Sequence, residues 1–506
     1  MPLSLSRADL IRTRNFIGGR WLDSTGRTFG VLDPSNESTI AEVVDSDGGD
    51  AKAAVDAAHA ALPAWRAAPA HARARVLKRW HALILQHQED LARIVSREQG
   101  KPLAEARGEI LYAASYVEWF SEEATRSYGD VIPETVRGRK MLVIKEGVGV
   151  VAAITPWNFP AAMIARKIAP ALAAGCTVVA KPTEDTPLTS LALALLAGEA
   201  GVPAGVLNVV TASRSRVAEV VDVWLADARV RKITFTGSTP IGKHLARESS
   251  VTLKRLSLEL GGNAPFIVFD DADVDASVEG LMAAKFRNGG QTCVSPNRVY
   301  VQAAVHDAFV EKLVARGAAL RVGPASNADS QIGPMINRQA LRKIESHIAD
   351  AVAHGARLVV GGTRVLDNEG PNYIAPAVLT GATAAMQLAR EETASTKGWS
   401  RPRRLRSAAS RNRATGAKGR AVASTTTWTS SISVRAACPD LTTPSEESPH
   451  EDASCSAGQD GSDTALRGLQ ALDHHDRRSG AARVRRGADQ NCGRRPVPLR
   501  PVGDQR

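Results

Sequence analysis

Cys293 lies in the stretch 286–298, FRNGGQTCVSPNR, among glycines, amides, a threonine and two arginines. A structural cysteine usually hides among apolar side chains, and the run AGCTVVA around Cys176 predicts that kind of burial. A nucleophilic cysteine needs the opposite, because the thiolate is the reactive form and it ionises in polar, accessible settings. Gly289 and Gly290 would let backbone amides close on a substrate oxygen, one half of an oxyanion hole. Two further stretches hold residue types that could complete such chemistry. ITPWNFP (154–160) holds Asn158 between Trp157 and Phe159, and its prolines exclude a regular helix or a central strand, so a rigidly held amide there needs a partner. LSLELGGNAP (256–265) sets Glu259 among leucines, where desolvation would raise its pKa and suit it to act as a general base. Each also has a plainer reading: a loop cysteine, a turn amide, a strand carboxylate facing water.

The elements that must position these residues follow from the apolar pattern. Helical spacing predicts helices over 51–67, 72–96 and 104–127. Short β-branched runs come next at 141–154, 176–182, 206–211, 232–237 and 266–269. Helical stretches at 161–174, 187–200, 216–225 and 241–248 separate most of them. That alternation predicts an α/β protein built on a doubly wound parallel sheet. After Cys293, strands at 298–302 and 356–360 with helices at 305–316 and 338–354 predict a second α/β domain. The expected division is 1–258, 259–393 and a third segment, 394–506.

Composition narrows the partners. The chain has 506 residues and a formal net charge of +11, which suggests nucleic acid. Residues 394–506 hold 20 Lys+Arg against 11 Asp+Glu, however, leaving 44 against 42 in the first 393, so the basicity belongs to one segment. Five cysteines without a spaced pattern argue against a disulfide framework or a zinc site. DDAD (270–273) follows a strand and opens a helix, so capping is expected there rather than metal binding. Asp473-His474-His475-Asp476 is set aside in the same way, and no metal is expected. The N-terminus has no apolar core fit for a signal peptide, and the longest apolar region, about 148–165, is broken by Pro156, Asn158 and Pro160. A cytoplasmic protein without membrane contact is expected.

WNFP, LELGGN and GQTC, in this order and with these separations, resemble the aldehyde dehydrogenase superfamily over residues 16–393. The resemblance implies a Rossmann-type cofactor domain within 1–258 and a catalytic domain in 259–393. It implies Cys293 as nucleophile, Asn158 as an oxyanion donor with the Cys293 backbone N–H, and Glu259 as the base that activates water. The usual G-x-G-x-x-G is absent. FTGSTPIG (235–242), a strand-to-helix turn able to offer N–H groups to a phosphate, stands at the family's pyrophosphate position, which brings in Gly237 and Ser238. Trp157 and Glu392 match further cofactor contacts, and Lys181 and Glu184 of KPTED match residues at the adenosine ribose. A carboxylate there accepts from a 2′-hydroxyl and repels a 2′-phosphate, so NAD is expected, with NADP the alternative. Ala212 replaces a usual glycine and would crowd the cofactor. Within the family the chain is most similar to succinate-semialdehyde dehydrogenases. Arg166 and Arg287 match arginines that hold the distal carboxylate of such a substrate, glutarate semialdehyde being one methylene away.

The resemblance stops inside a motif. After REET (390–393) the expected phenylalanine gives way to Ala394-Ser395, and an Arg-, Ala- and Ser-rich segment without Phe or Tyr comes next. That composition predicts a disordered tail. The abruptness favours a segment translated in a shifted frame, with impaired folding and little activity. The resemblance implies a homo-oligomer, which the missing C-terminal strand puts in question. The competing reading is a non-catalytic binding protein whose basic tail contacts nucleic acid or an acidic partner.

Overall fold

The computed structural model describes residues 4–23, 25–393 and 431–437. Five parallel strands form the frame of the site: Val150–Ile154, Thr177–Lys181, Leu207–Val209, Val230–Gly237 and Arg255–Leu260. An antiparallel hairpin, Asn15–Ile17 with Arg20–Leu22, extends the edge beyond Leu207–Val209. The strands Val150–Ile154 and Thr177–Lys181 are buried at every position because both faces are covered. Val151, Ala153, Val178 and Ala180 point into one core with helices Ala70–Gln86, Leu103–Glu123 and Pro160–Ala173. Val150, Ala152, Ile154 and Val179 point into the other, with Gly48–Ala67 and Val217–Ala226. Alternate residues of one strand thus serve opposite layers, which is the doubly wound architecture the sequence predicts.

Several expectations shift in detail. The helix expected over 72–96 is two helices, Ala70–Gln86 and Gln88–Gln99, broken at His87. Glu89 and Asp90 suit a new helix start, and Asp90 also accepts from Ser6 and Arg7. The run 141–154 is two strands, because Gly147 and Gly149 intervene. Met141–Val143 pairs with Asp130–Ile132, outside the main sheet. The run 266–269 is the strand Pro265–Val268, and it belongs to the second sheet, since the chain leaves the first at Gly261-Gly262.

That second sheet has the order Pro265–Val268, Arg298–Gln302, Ser431–Ala437, Ala377–Thr380, Arg357–Val360, with only the last strand antiparallel to its neighbour. Within 394–506 the described residues are the strand Ser431–Ala437. Its backbone pairs with strands on both sides, which would otherwise face each other across a gap with open hydrogen-bonding edges. The motif at 473–476 and the rest of that segment lie outside the described residues. Among the described residues no helix is long and apolar enough to cross a membrane. Asp273 caps Val274–Phe286 by accepting from Ala276 N at 3.0 Å, as expected for DDAD.

One close approach sets the distance between the helical layer and the loop that backs Cys293. Gly100 ends its helix at φ 89°, and a Cβ on Gly333 would stand 2.1 Å from the Gly100 carbonyl oxygen. The next residues, Pro334 and Ile336, hold the Gln291 side chain through Pro334 O (3.4 Å) and Ile336 N (3.0 Å). We expect Gly333→Ala to cost about 1–3 kcal/mol. Urea unfolding should show a lowered midpoint, and Cys293 alkylation should change because Gln291 is displaced with its anchor.

Candidate active site

The strand sequence runs outward in one direction from Val150–Ile154 through Thr177–Lys181 to Leu207–Val209. It then returns to the other side with Val230–Gly237 and Arg255–Leu260. At such a reversal the loops at the carboxyl ends diverge and leave a crevice. A cavity of about 1260 Å³, partly open to solvent, lies there. Asn158, Glu259 and Cys293, far apart in sequence, all line it.

Cys293 comes after a strained turn. Asn288, Gly289 and Gly290 hold φ of 54°, 62° and 78°, three consecutive left-handed residues of which only two are glycine. Asn288 tolerates this because its groups are fixed: its N–H donates to Glu105 Oε2 (2.7 Å) and its side chain donates to Asn158 O (3.0 Å) and Gln291 O (3.2 Å). The Cys293 thiol is half-buried and unpaired by disulfide. Burial pushes its pKa up. The guanidinium of Arg166, its own backbone amide and Arg287 oppose that, while the charge on Glu259 adds to it.

Asn158 is buried, and its Nδ2 donates to Gln291 O at 3.2 Å, which fixes the amide's orientation because a carbonyl only accepts. Its Oδ1 is buried without a hydrogen-bond partner. The backbone carbonyl of Asn158 accepts from Lys101 Nζ at 2.8 Å, and Lys101 forms a fully buried ion pair with Glu109 at 2.6 Å. Glu109 also accepts from the N–H groups of Ala161 (2.8 Å) and Ala162 (3.3 Å), at the start of the helix after WNFP. Neither Lys101 nor Glu109 is among the expected site residues. A signal was present: Glu109 falls on the apolar face formed by Ala106, Ile110 and Ala113 of its helix.

Glu259 is half-buried on Arg255–Leu260. The expectation that leucines surround it needs correction, since strand side chains alternate. Leu256, Leu258 and Leu260 pack on the core, and Glu259 projects from the other face at the cavity wall. Its charge is felt by Lys167, a buried lysine missed in the sequence. Desolvation brings the Lys167 ammonium down to about 7, and Nζ lies 3.3 Å from Thr234 Oγ1.

The far end of the cavity suits a dinucleotide. A Cβ on Gly237 would sit 2.4 Å from the Phe235 ring, so the turn into the helix Thr239–Ser249 stays bare. The hydroxyls of Thr236 and Ser238 are buried there without partners. Trp157, Lys181, Glu184 and Glu392 line the same cavity, and the Glu392 carbonyl accepts from Lys343. Burial would raise the Glu184 carboxyl, but Lys181 and Arg214 together hold it low. Ala212 is buried in the core with Val210 and Val220 instead of crowding the cavity, which corrects that expectation. Arg166 and Arg287 stand outside the cavity lining. Arg166 lies over Tyr116 at 5.6 Å, and Arg287 over Phe159 at 5.0 Å and Tyr112 at 5.9 Å. Tyr112 and Tyr116 share a hydroxyl–hydroxyl hydrogen bond.

Comparisons with known proteins identify the family of the chain. The chain is 50% identical over 392 residues to the succinate-semialdehyde dehydrogenase [NADP(+)] of Escherichia coli K12, covering 77% of this chain and 80% of that one. It is equally similar, over the same shares, to a glutarate-semialdehyde dehydrogenase of Pseudomonas putida. A crystal structure described as an E. coli NADP-dependent enzyme superposes with a TM-score of 0.76 at 50% identity, covering 78% of this chain and 81% of that one. The sequence profile described as "Aldehyde dehydrogenase family" matches residues 21–395, and the chain belongs to that family.

Proposed function

We propose that this chain oxidises an aldehyde with a distal carboxylate, succinate semialdehyde, to the corresponding acid in the cytoplasm, with NAD as cofactor and NADP as the alternative. The observation that supports it best is the convergence of Cys293, Asn158 and Glu259 on one cavity whose far end is built for a dinucleotide. The Cys293 thiolate adds to the aldehyde carbon. One Asn158 N–H is used by Gln291 O, and the second is left for the developing oxyanion, beside the Cys293 backbone N–H. A bound nicotinamide supplies the hydride acceptor. Once the hydride has left, the adduct is a thioester, and Glu259 takes a proton from the water that hydrolyses it. Gly237 and Ser238 would hold the pyrophosphate of a bound dinucleotide, and Trp157, Lys181, Glu184 and Glu392 would line the rest of it.

Arg166 and Arg287 serve two ends in this reading. Each offers a guanidinium to the substrate carboxylate, and each stabilises the Cys293 thiolate. We infer that the segment after Thr393 lowers turnover, since there the chain leaves the family pattern. A version with the reading frame restored downstream of Thr393 is the proper comparison.

The test is dinucleotide reduction with succinate semialdehyde, by this chain and by the frame-restored version. Absence of turnover in both would overturn the proposal. Cys293→Ser should lower kcat/KM by about a thousandfold or more with an unchanged melting temperature. Arg166→Ala removes a charge that favours the thiolate, so the Cys293 pKa rises. Its iodoacetamide alkylation–pH curve should then move to higher pH. The same variant should lose about tenfold or more in kcat/KM for succinate semialdehyde and far less for butanal, which has no carboxylate.

A further inference from the structure

The adenosine end of the cavity holds a guanidinium with no counterpart among the expected site residues. Arg214 stands between Leu207–Val209 and Val217–Ala226, and its side chain is 40% exposed at the cavity edge. Its Nε donates to Glu184 Oε1 at 2.8 Å, and its Nη1 donates to Gln339 Oε1 at 2.6 Å. Its Nη2 lies 3.6 Å from Asp185 Oδ2, an oxygen that is buried without a hydrogen-bond partner. The other Glu184 oxygen accepts from Thr183 Oγ1 at 3.3 Å and stands 3.5 Å from Lys181 Nζ. Both oxygens of Glu184 are therefore engaged by protein groups.

This changes what the carboxylate can do. A glutamate selects NAD when one oxygen is open to the ribose 2′-hydroxyl and its charge faces a would-be 2′-phosphate, whereas an arginine nearby accommodates that phosphate. Here the Glu184 charge is met by two cations, and the neighbouring Asp185 is held towards its neutral form by burial and by Glu184. A 2′-phosphate carries close to two negative charges and three acceptor oxygens, and a planar guanidinium fits it better than an ammonium does.

We propose that Arg214 is the residue through which this chain admits a 2′-phosphate: it holds Glu184 off the ribose and presents its guanidinium to the phosphate, so that NADP binds as well as NAD. The inference rests on the proposed dinucleotide site. It assigns the cofactor choice to a loop side chain outside the KPTED and FTGSTPIG segments.

Direct titration calorimetry of the full chain with NADP⁺, NAD⁺ and adenosine 2′,5′-bisphosphate, without aldehyde, tests it independently of turnover. The intact chain should bind all three. Arg214→Ala should weaken NADP⁺ and the bisphosphate by about tenfold or more, and leave NAD⁺ within about threefold or tighter. Glu184→Gln removes a negative charge beside the 2′-phosphate position and loosens the hold on the Arg214 guanidinium, so it should tighten NADP⁺ and the bisphosphate severalfold and leave NAD⁺ within about threefold, which keeps the proposal falsifiable should Arg214→Ala fold poorly. Equal weakening of both dinucleotides in Arg214→Ala would make Arg214 a structural clamp and overturn the inference, as would no change in either. Failure of the intact chain to bind either dinucleotide would instead remove the site reading itself, and this inference with it.

Discussion

The buried ion pair of Lys101 with Glu109 is the interaction on which the geometry around Cys293 depends. Two charges taken out of water are costly unless every remaining polar atom finds a partner. Here each does so by gripping backbone next to the site. Lys101 holds the Asn158 carbonyl, and Glu109 caps the first free N–H groups of Pro160–Ala173. The segment WNFP is therefore clamped from behind at both ends, and Asn158 can face the cavity with little freedom. The same carbonyl receives the Asn288 side chain, so the clamp extends to the left-handed turn that precedes Cys293. Asn158 and the turn before Cys293, on separate loops, thus share one carbonyl that a buried lysine also holds.

Cys293 itself is a compromise between access and ionisation. Enclosing the thiol protects a covalent adduct from stray water but disfavours the thiolate. The chain offsets this with the cations Arg166 and Arg287, placed outside the cavity lining and over aromatic rings, where they act on the sulfur through space. Glu259 works against the thiolate, since two anions on one cavity wall disfavour each other. The desolvated Lys167, within the field of Glu259, adds a group that titrates near neutrality behind that wall. The acid–base balance of the site therefore belongs to the cluster and to no single member.

The sequence revealed the features that depend on short-range pattern. β-Branched runs placed Thr177–Lys181, Leu207–Val209, Val230–Gly237 and Arg298–Gln302 to within a few residues, while Arg255–Leu260 and Ala377–Thr380 gave no such run, and WNFP, LELGGN and GQTC pointed to three side chains that line one cavity. The features it did not reveal depend on long-range packing. Lys101 and Arg214 look like surface cations in any local window, and only the fold brings them to Asn158 and Glu184. Glu259 reads as sitting among leucines because a linear string does not show which face of a strand a side chain takes. The break at His87 and the assignment of Pro265–Val268 to the second sheet were hidden for a related reason. Apolar periodicity says that a segment is buried, and says less about which layer buries it.

Ser431–Ala437 shows how differently a sheet and a catalytic cavity depend on sequence. A parallel ladder is made of backbone groups that all residues but proline share, so the space between Arg298–Gln302 and Ala377–Thr380 can be closed by a strand from a segment with no resemblance to the family. The cavity has no such tolerance, because an oxyanion donor or a general base is a particular side chain at a particular distance. Sheet closure and chemistry are therefore separable in this chain. The first 393 residues supply Cys293, Asn158, Glu259 and the rest of the cavity lining, while Ser431–Ala437 supplies the second sheet with backbone pairing.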